Sequence, residues 1–406
     1  MRLTKVCQKL TGVDALVATD LSVDDGGVTF AVRPRWRKPR CGGCGRRGGQ
    51  YDRGGERHWR HLALGSTILR LRYAPRRVNC RCCGVVTEQV PWARHGSRFT
   101  RDLEELVAYL AQTTDKTTIT RLVGINWRTV GTIIERVVNE RLDGQRLNGL
   151  RVIGIDEFSY LKRHRYLTVV VDHDQRRVVW AARGRGADSL TGLFDQLGEH
   201  GRAGIELATM DMAGGYLKAV GEHLPDARIV FDRFHVQRLA SDALDEVRRD
   251  ETRALAGGDD AGWIKRSRYA LLKNPWNLTP RQDQKLADIQ ANNARLYRAY
   301  LLKESLARAL DYRQPKRARE AFEAWLAWAC RSQLPAFVKL SRTLRRHKDG
   351  ILAYIKQRYT NAIVEGFNNR LRMIARRAYG FHSADALQAM LFLCCGGIEL
   401  NPPLPK

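Results

Sequence analysis

The sequence predicts a multidomain protein in which small β-rich and helical modules precede a mixed α/β core that a helical segment interrupts. Three observations predict it. Two cysteine-bearing turns flank a basic N-terminal stretch, a helix–turn–helix pattern falls between residues 117 and 138, and short apolar runs in the order βββαβαβα start at residue 151. At 406 residues the chain has room for about two to four domains, and 44% apolar content makes a packed core the expectation.

The net charge of +27, from 70 Lys/Arg against 43 Asp/Glu, exceeds what solubility needs and points to a polyanionic partner. Nucleic acid fits better than an anionic membrane. No basic amphipathic helix stands out, and no apolar run approaches the roughly 18 residues of a membrane span. Met1–Gly12 lacks the apolar core of a signal peptide, so a cytoplasmic, nucleoid-associated location is expected. In a reducing compartment the nine cysteines read as thiols or metal ligands rather than disulfides.

Residues 1–98 are expected to form a β scaffold and a zinc ribbon. Leu16, Val17, Leu21, Val23, Val28 and Phe30 alternate with polar residues around Asp24-Asp25-Gly26-Gly27, a turn between two strands. From Arg33 to Arg81 fifteen Lys/Arg face only two acids, and here Cys41 and Cys44 (CGGCG) are followed by Cys80, Cys82 and Cys83 (CRCCG). Two such knuckles can close one tetrahedral Zn²⁺ site. Cys41, Cys44, Cys80 and Cys83 are the expected ligands, with Cys82 a rival to Cys80. Four thiolates leave no open coordination position, so the metal is structural. Between the knuckles, HWRHLALGSTILRLRY reads as ribbon strands in which Ile68, Leu69 and Leu71 pack while Arg70 and Arg72 face outward toward DNA. His58 and His61 are expected to be exposed or DNA-facing rather than ligands.

Residues 99–148 change to helical periodicity. Leu103, Leu106, Val107 and Leu110 recur at three and four. Thr117–Val123, the turn Gly124-Ile125-Asn126 and Trp127–Val138 then have helix-turn-helix spacing, with Val130, Ile133, Ile134 and Val137 inward. Asn126, Arg128 and Thr129 would open a DNA-recognition helix.

Residues 149–254 carry the first part of the core. RVIGIDEF (151–158) is a β-branched strand that bears an acid, and alternation sends Asp156 and Glu157 to opposite faces, of which Asp156 is taken as the functional one. YLTVVVD (166–172) and RVVWAAR (177–183) complete a meander. A helix (189–197), a strand (205–210) ending at Asp211, a helix (216–224), a strand (228–231) ending at Asp232, and a long helix from Val236 follow. That order is the order of a ribonuclease-H-like fold, a mixed sheet flanked by helices, in which Asp156 and Asp211 lie side by side. Close carboxylates repel unless divalent cations neutralise them, so two Mg²⁺ or Mn²⁺ ions are expected, suited to in-line phosphoryl transfer. Asp232 and His235 form a second pair, metal-binding or structural.

Residues 255–358 are helical and mostly polar, broken at Gly257-Gly258, Pro275, Pro280, Pro315 and Pro335. Their apolar stripes are Leu286, Ile289, Leu296, Tyr300 and Leu301, then Phe322, Trp325, Leu326 and Trp328. They read as an α-helical insertion. Residues 359–406 return to the core: Thr360 caps a helix that buries Ile363, Phe367, Leu371 and Ile374 and displays Asn361, Glu365, Asn369, Arg372 and Arg376, the arginines toward DNA.

In these motifs the chain resembles the DDE insertion-sequence transposases of the ISL3 family over nearly its whole length. The resemblance rests on RRVNCRCCG, the helix-turn-helix, GIDEF, the strand leading to TMDMAGGY, VFDRFHV and NAIVEGFNNRLR, of which GIDEF and NAIVEGFNNRLR in this order are specific. It implies that Asp156, Asp211 and Glu365 are the catalytic triad, that Asp232 and His235 are the family's DxxH element, and that a helical segment interrupts the core before the last acid. The compact second knuckle with its extra cysteine departs from the family. The function implied is binding of an element's terminal inverted repeats, with metal-dependent strand cleavage and transfer into target DNA by at least a dimer. The rival readings are a non-catalytic DNA-binding regulator and a structure-selective nuclease.

Overall fold

The computed structural model describes residues 2–161, 165–212, 214–255, 261–357, 362–378, 380–381 and 383–402. The chain divides into two compact units, Met1–Gly144 with Met373–Lys406, and Gln145–Arg372.

The first unit opens with a helix that the strand reading of residues 1–30 did not anticipate, α1 (Leu3–Thr11), which buries Cys7 and Thr11. β1 (Leu16–Asp24) and β2 (Gly27–Pro34) then form the expected hairpin, paired from Leu16↔Pro34 to Asp24↔Gly27. Gly27 has φ 123°, and a Cβ there would collide with the Ile68 carbonyl oxygen, so only glycine fits. Five strands follow: β3 (Gly49–Arg53), β4 (Arg57–Arg60), β5 (Leu69–Tyr73), β6 (Arg76–Cys80) and β7 (Gly84–Thr87). They fall into two sheets, β1-β2-β5-β4 and β3-β6-β7.

The basic strand Leu69–Tyr73 therefore does not belong to the cysteine ribbon as the sequence suggested. It runs parallel to β2, because fully buried Leu69 and Leu71 complete a core with Leu16, Phe30 and Trp59 around Trp92. The rings of Trp59 and Tyr73 each meet Trp92 edge-on at 5.6 Å. Ile68 is half-buried. Arg70 and Arg72 leave the opposite side of β5 but are half-buried rather than free: Arg70 Nη1 donates to the Gly26 carbonyl at 2.6 Å, and Arg72 lies 3.8 Å from both Asp20 and Glu56. His58 is exposed as expected, whereas the expectation for His61 is corrected. His61 is 3% exposed, with Nδ1 2.8 Å from the Thr100 hydroxyl and Nε2 3.2 Å from the Leu10 carbonyl. An imidazole fits that buried gap because its two nitrogens satisfy two groups that would otherwise be orphaned.

Two buried charge networks tie the N-terminal modules together. Glu88 is 2% exposed and accepts from Arg76 Nη2 at 2.7 Å, the Arg76 backbone N–H at 2.7 Å and the Tyr73 hydroxyl at 2.8 Å. Arg94, 5% exposed, binds Glu104, Glu105 and Glu140, while Arg136 donates to Glu104 at 2.6 Å and Arg141 to Glu105 at 3.0 Å. Breaking one partner of such a pair strands a charge in a low-dielectric interior. Glu88→Ala should therefore cost about 3–5 kcal/mol of stability. Chemical denaturation measures this, and a loss below about 1 kcal/mol would show that water reaches Arg76.

The Arg94 network fastens α2 (Arg101–Thr113) and α4 (Trp127–Arg141), with α3 (Lys116–Val123) between them. Each helix starts on a side-chain cap: Thr100, Asp115 and Asn126 accept from the backbone N–H three residues on. Gly124, at φ 66°, makes the turn between α3 and α4. Val130, Ile133, Ile134 and Val137 are buried as their spacing predicted.

In the second unit β8 (Val152–Leu161), β9 (Arg165–Asp172) and β10 (Arg177–Arg183) pair antiparallel in sequence. Then come α5 (Asp188–Ala203), β11 (Leu207–Met210), α6 (Gly214–His223), β12 (Arg228–Phe231) and α7 (Arg233–Ala254). The sheet order is β10-β9-β8-β11-β12, with β11 parallel to both neighbours. α5 breaks at Gly198 (φ 62°), one residue past the end that its apolar spacing marked.

Helices fill the next hundred residues: α8 (Ala261–Lys265), α9 (Arg268–Leu272), a 3₁₀ turn (Pro275–Asn277), α10 (Pro280–Asn292), α11 (Ala294–Asp311), α12 (Pro315–Arg331), α13 (Pro335–Arg346) and α14 (Lys348–Gln357). Pro280, Pro315 and Pro335 each occupy a first-turn position, where a missing N–H costs nothing. Leu296, Tyr300, Phe322, Trp325 and Leu326 join one core with Leu244 and Val247 of α7, while Leu301 and Trp328 stay at its exposed edge. α15 (Ala362–Arg377) follows, and α16 (Ala384–Cys395) belongs to the first unit, where Gln112 Nε2 donates to the Leu393 carbonyl at 2.9 Å. Among the described residues no helix is long and apolar enough to cross a membrane.

Burial lowers the pKa of His61 and of His173, with the nearby charges of Asp102 and Asp172 acting in the other direction. Both rings fold neutral. Their contribution is complete above the ordinary histidine value of 6.5 and is lost as the pH falls from there, because the unfolded chain takes up the protons first. Each proton so linked should weaken folding by about 1.4 kcal/mol per pH unit. Melting temperatures at pH 7.5 and 5.5 test it: a flat profile removes the claim, and His61→Gln should flatten part of the slope.

Candidate functional site

The sheet of the second unit brings distant carboxylates into one row. β11 pairs with β8 as Leu207↔Val152 and Thr209↔Gly154, and that register carried two residues further sets Asp211 opposite Asp156. β11 pairs with β12 as Met210↔Phe231, and one further step sets Asp232 beside Asp211. Neighbouring strands lie about 4.8 Å apart. Val152, Leu207 and Val230 form a small cluster on one face, the alternation on which Asp156 falls, while Asp211 and Asp232 stand one residue past the ends of β11 and β12. Ile153, Ile155, Ala208, Met210 and Phe231 pack into the main core on the other.

The aspartates differ in surroundings. Asp156 is half-buried inside β8 and accepts the Glu157 backbone N–H at 2.7 Å. Asp211 is half-buried just past β11. Asp232 is 7% exposed and caps α7, accepting from Phe234 N at 3.2 Å, with its other oxygen 3.9 Å from His235 Nδ1.

Three further side chains enter this field that the sequence reading did not assign. Glu157 leaves β8 toward the opposite face, yet burial and then the charges of Asp211 and Asp156 raise its pKa, against Arg185 and His235. Tyr216 is fully buried, its hydroxyl 2.7 Å from that of Thr168, and burial with the charges of Glu157, Asp211 and Asp156 raises its pKa as well. Arg185, its guanidinium 4.7 Å from the Tyr166 ring centroid, is the cation in the group. Alternation argued against Glu157, and only the convergence of β8 with the end of β11 reveals it. For Tyr216 the signal was its place in TMDMAGGY.

Glu365 lies on α15, but its side chain is outside the described residues, as are Thr360 and Asn361. On the same helix Leu371 and Ile374 are buried and Ile363 and Phe367 half-buried, as the stripe predicted. Arg372 is exposed and donates to Asn369 Oδ1 at 2.7 Å, and Arg376 is exposed.

In the first unit the thiols of Cys41, Cys44, Cys80 and Cys83 all lie within 4.8 Å of one another, a set that could hold a metal ion. Cys44 and Cys80 sulfurs are 3.5 Å apart, near the roughly 3.8 Å that tetrahedral Zn–S bonds of about 2.3 Å require. Cys82 stands outside this set, with its sulfur 2.9 Å from Arg46 Nη1. Backbone N–H groups of Cys82 and Cys83 pull the Cys80 pKa down to about 6, while neighbouring sulfurs push Cys83 up to about 12. Four thiols this close do not all ionise without a cation. Gly42 makes the knuckle possible, since a Cβ there would strike His95 and the Thr87 carbonyl. At the start of α4, Asn126 Oδ1 accepts from both the backbone and hydroxyl of Thr129, at 2.8 and 2.7 Å, and Arg128 is exposed beside Asn126 and Trp127.

Comparison with known proteins identifies the family. The family DDE_Tnp_ISL3, described as transposase, matches residues 153–391, and the helix-turn-helix domain of transposase family ISL3 matches residues 88–138. The chain is 40% identical to the transposase for insertion sequence element IS1557 of Mycobacterium tuberculosis, over 100% of this chain and 98% of that one. It is 30% identical to the transposase for insertion sequence element IS1001 of Bordetella parapertussis, over 89% of this chain and 90% of the relative.

Proposed function

Because the chain belongs to the ISL3 family of transposases and carries that family's helix-turn-helix domain, we propose that it binds the terminal inverted repeats of an insertion sequence and cuts and joins DNA strands there. The reaction is of the DDE type, with Asp156, Asp211 and Glu365 as its carboxylates. The observation that carries this reading is the strand register that lines up Asp156, inside β8, with Asp211 and Asp232, each one residue past the ends of β11 and β12. The sheet order, three antiparallel strands followed by two parallel ones, supports a ribonuclease-H-like core, and helices α8–α14 support an insertion before the last acid. On this reading the domains are 1–98, 99–148, 149–254, 255–358 and 359–406.

The donor set fits hard divalent cations, since carboxylates offer hard oxygen ligands, and the charges of Asp211 and Asp156 already bear on the neighbouring Glu157. Two Mg²⁺ or Mn²⁺ ions held by Asp156, Asp211 and Glu365 would supply Lewis-acid charge at the scissile phosphate. The chain's own groups do the rest. Asp232 fixes the start of α7 and so the position of His235. Arg128 on α4 and Arg372 and Arg376 on α15 hold DNA, and the basic surface makes binding weaken steeply with salt. The four clustered thiols hold one structural Zn²⁺. The protein works in the cytoplasm on nucleoid DNA, and bringing two element ends together requires at least a dimer.

Labelled end DNA, Mg²⁺ and the full chain test the proposal. Joined product supports it, cleavage without joining makes the chain a nuclease, and binding alone makes it a regulator.

A further inference from the structure

Trp276 and Tyr269 are the two most exposed aromatic residues among those described, at 76% and 65%. A large apolar face turned to water is ordinary when isolated and mobile. These are neither. Trp276 sits in the 3₁₀ turn Pro275–Asn277, behind a proline that fixes φ and ahead of the Thr279/Gln282 capping box that starts α10. On its other side the ammonium of Lys303, 7% exposed, donates to the carbonyls of Leu271 at 2.9 Å and Lys273 at 3.2 Å, closing the C-terminal end of α9. A buried lysine thus anchors the backbone that presents the indole. Lys303, which also pairs with the buried Glu304, ties down the end of α9 just ahead of the turn that presents the indole.

The surroundings say what covers it. From Ala261 to Lys285 six Lys/Arg stand against the single acid Asp283. Lys265, Arg266 and Arg281 are exposed, as is Arg268, whose Nε lies 3.3 Å from Asp245. A cationic surface interleaved with exposed rings suits a nucleic-acid strand, with phosphates on the cations and bases on the rings. Inside a duplex the base faces are covered by one another, so an unpaired base offers its face to an indole most readily.

We propose that the anchored segment Ser267–Leu278 is a docking site for unpaired DNA bases, with Trp276 as the stacking face and Tyr269 as a second. The inference rests on the strand-cutting reading above, since cutting and joining expose unpaired nucleotides at an element end, and it assigns the helical segment a part in holding them.

The test compares two duplexes of equal length carrying the element end, one fully paired and one with four unpaired nucleotides at its terminus. Both are titrated with the full chain without added Mg²⁺. A 2-aminopurine in the unpaired stretch reports stacking by its quenching. The native chain should favour the unpaired end by about tenfold, in the range expected for one stacked base, and quench the probe. Trp276→Ala should lose both the preference and the quenching while binding the paired duplex as before, and Trp276→Phe should keep most of each. Equal affinity of the native chain for the two duplexes, or an undiminished preference in Trp276→Ala, overturns the inference. Absence of joining in Mg²⁺ would instead sink the reaction reading, and would leave a measured stacking preference standing.

Discussion

Asp156→Asn and Asp211→Asn will each reduce strand cleavage and joining by about a thousandfold or more while leaving binding to element-end DNA intact. Asparagine keeps the size and much of the hydrogen bonding of aspartate but removes the charge that would hold divalent cations at the phosphate. That charge is worth several kcal/mol in a reaction whose catalysis is almost wholly electrostatic. The same substitutions should not destabilise the fold. Burial, and then the charges of Asp211 and Asp156, raise the pKa of Glu157 and Tyr216, so removing one negative charge relieves part of a repulsion that folding works against. A gel assay with labelled ends and a thermal melt read the two halves. Wild-type joining by either variant would exclude these aspartates from the chemistry. Lost joining with a lowered melting temperature would make them structural. Glu157→Gln offers a contrast, since its side chain leaves β8 on the other face and should affect joining less.

The second large effect concerns the thiols. Cys80→Ser should release zinc and unfold the ribbon, whereas Cys82→Ser should keep one zinc per chain. Apparent binding energies of structural zinc reach about 10–16 kcal/mol, more than a small sheet such as β3-β6-β7 can replace by packing. Loss of the metal should therefore expose the segment between the knuckles to protease and weaken end-DNA binding about a hundredfold. Metal content, limited proteolysis and a binding titration check this. Zinc retained in Cys80→Ser but lost in Cys82→Ser would reverse the assignment that the 4.8 Å cluster supports.

Much of the core was legible because periodicity is local. Strand Arg228–Phe231 begins and ends where its apolar run does, and the helix-turn-helix falls on its capping residues and Gly124. Less legible were features that depend on a partner far along the chain. α1 was hidden in a stretch that alternates like a strand, His61 looked like a surface residue of a basic ribbon, and Leu69–Tyr73 was assigned to the wrong sheet. In each case burial against Trp92, Thr100 or β2 overrode the local pattern.

By itself the sequence determined the kind of molecule: a basic chain with a cysteine ribbon, a helix-turn-helix and acid-tipped strands. Charge, residue spacing and hydrophobic period are properties of neighbours along the backbone. The tertiary structure alone decided which cysteines meet, the register that β8, β11 and β12 adopt, and that Glu157 and Tyr216 stand in the field of Asp156 and Asp211. Strand register and knuckle closure join residues tens of positions apart, and no local preference encodes those distances.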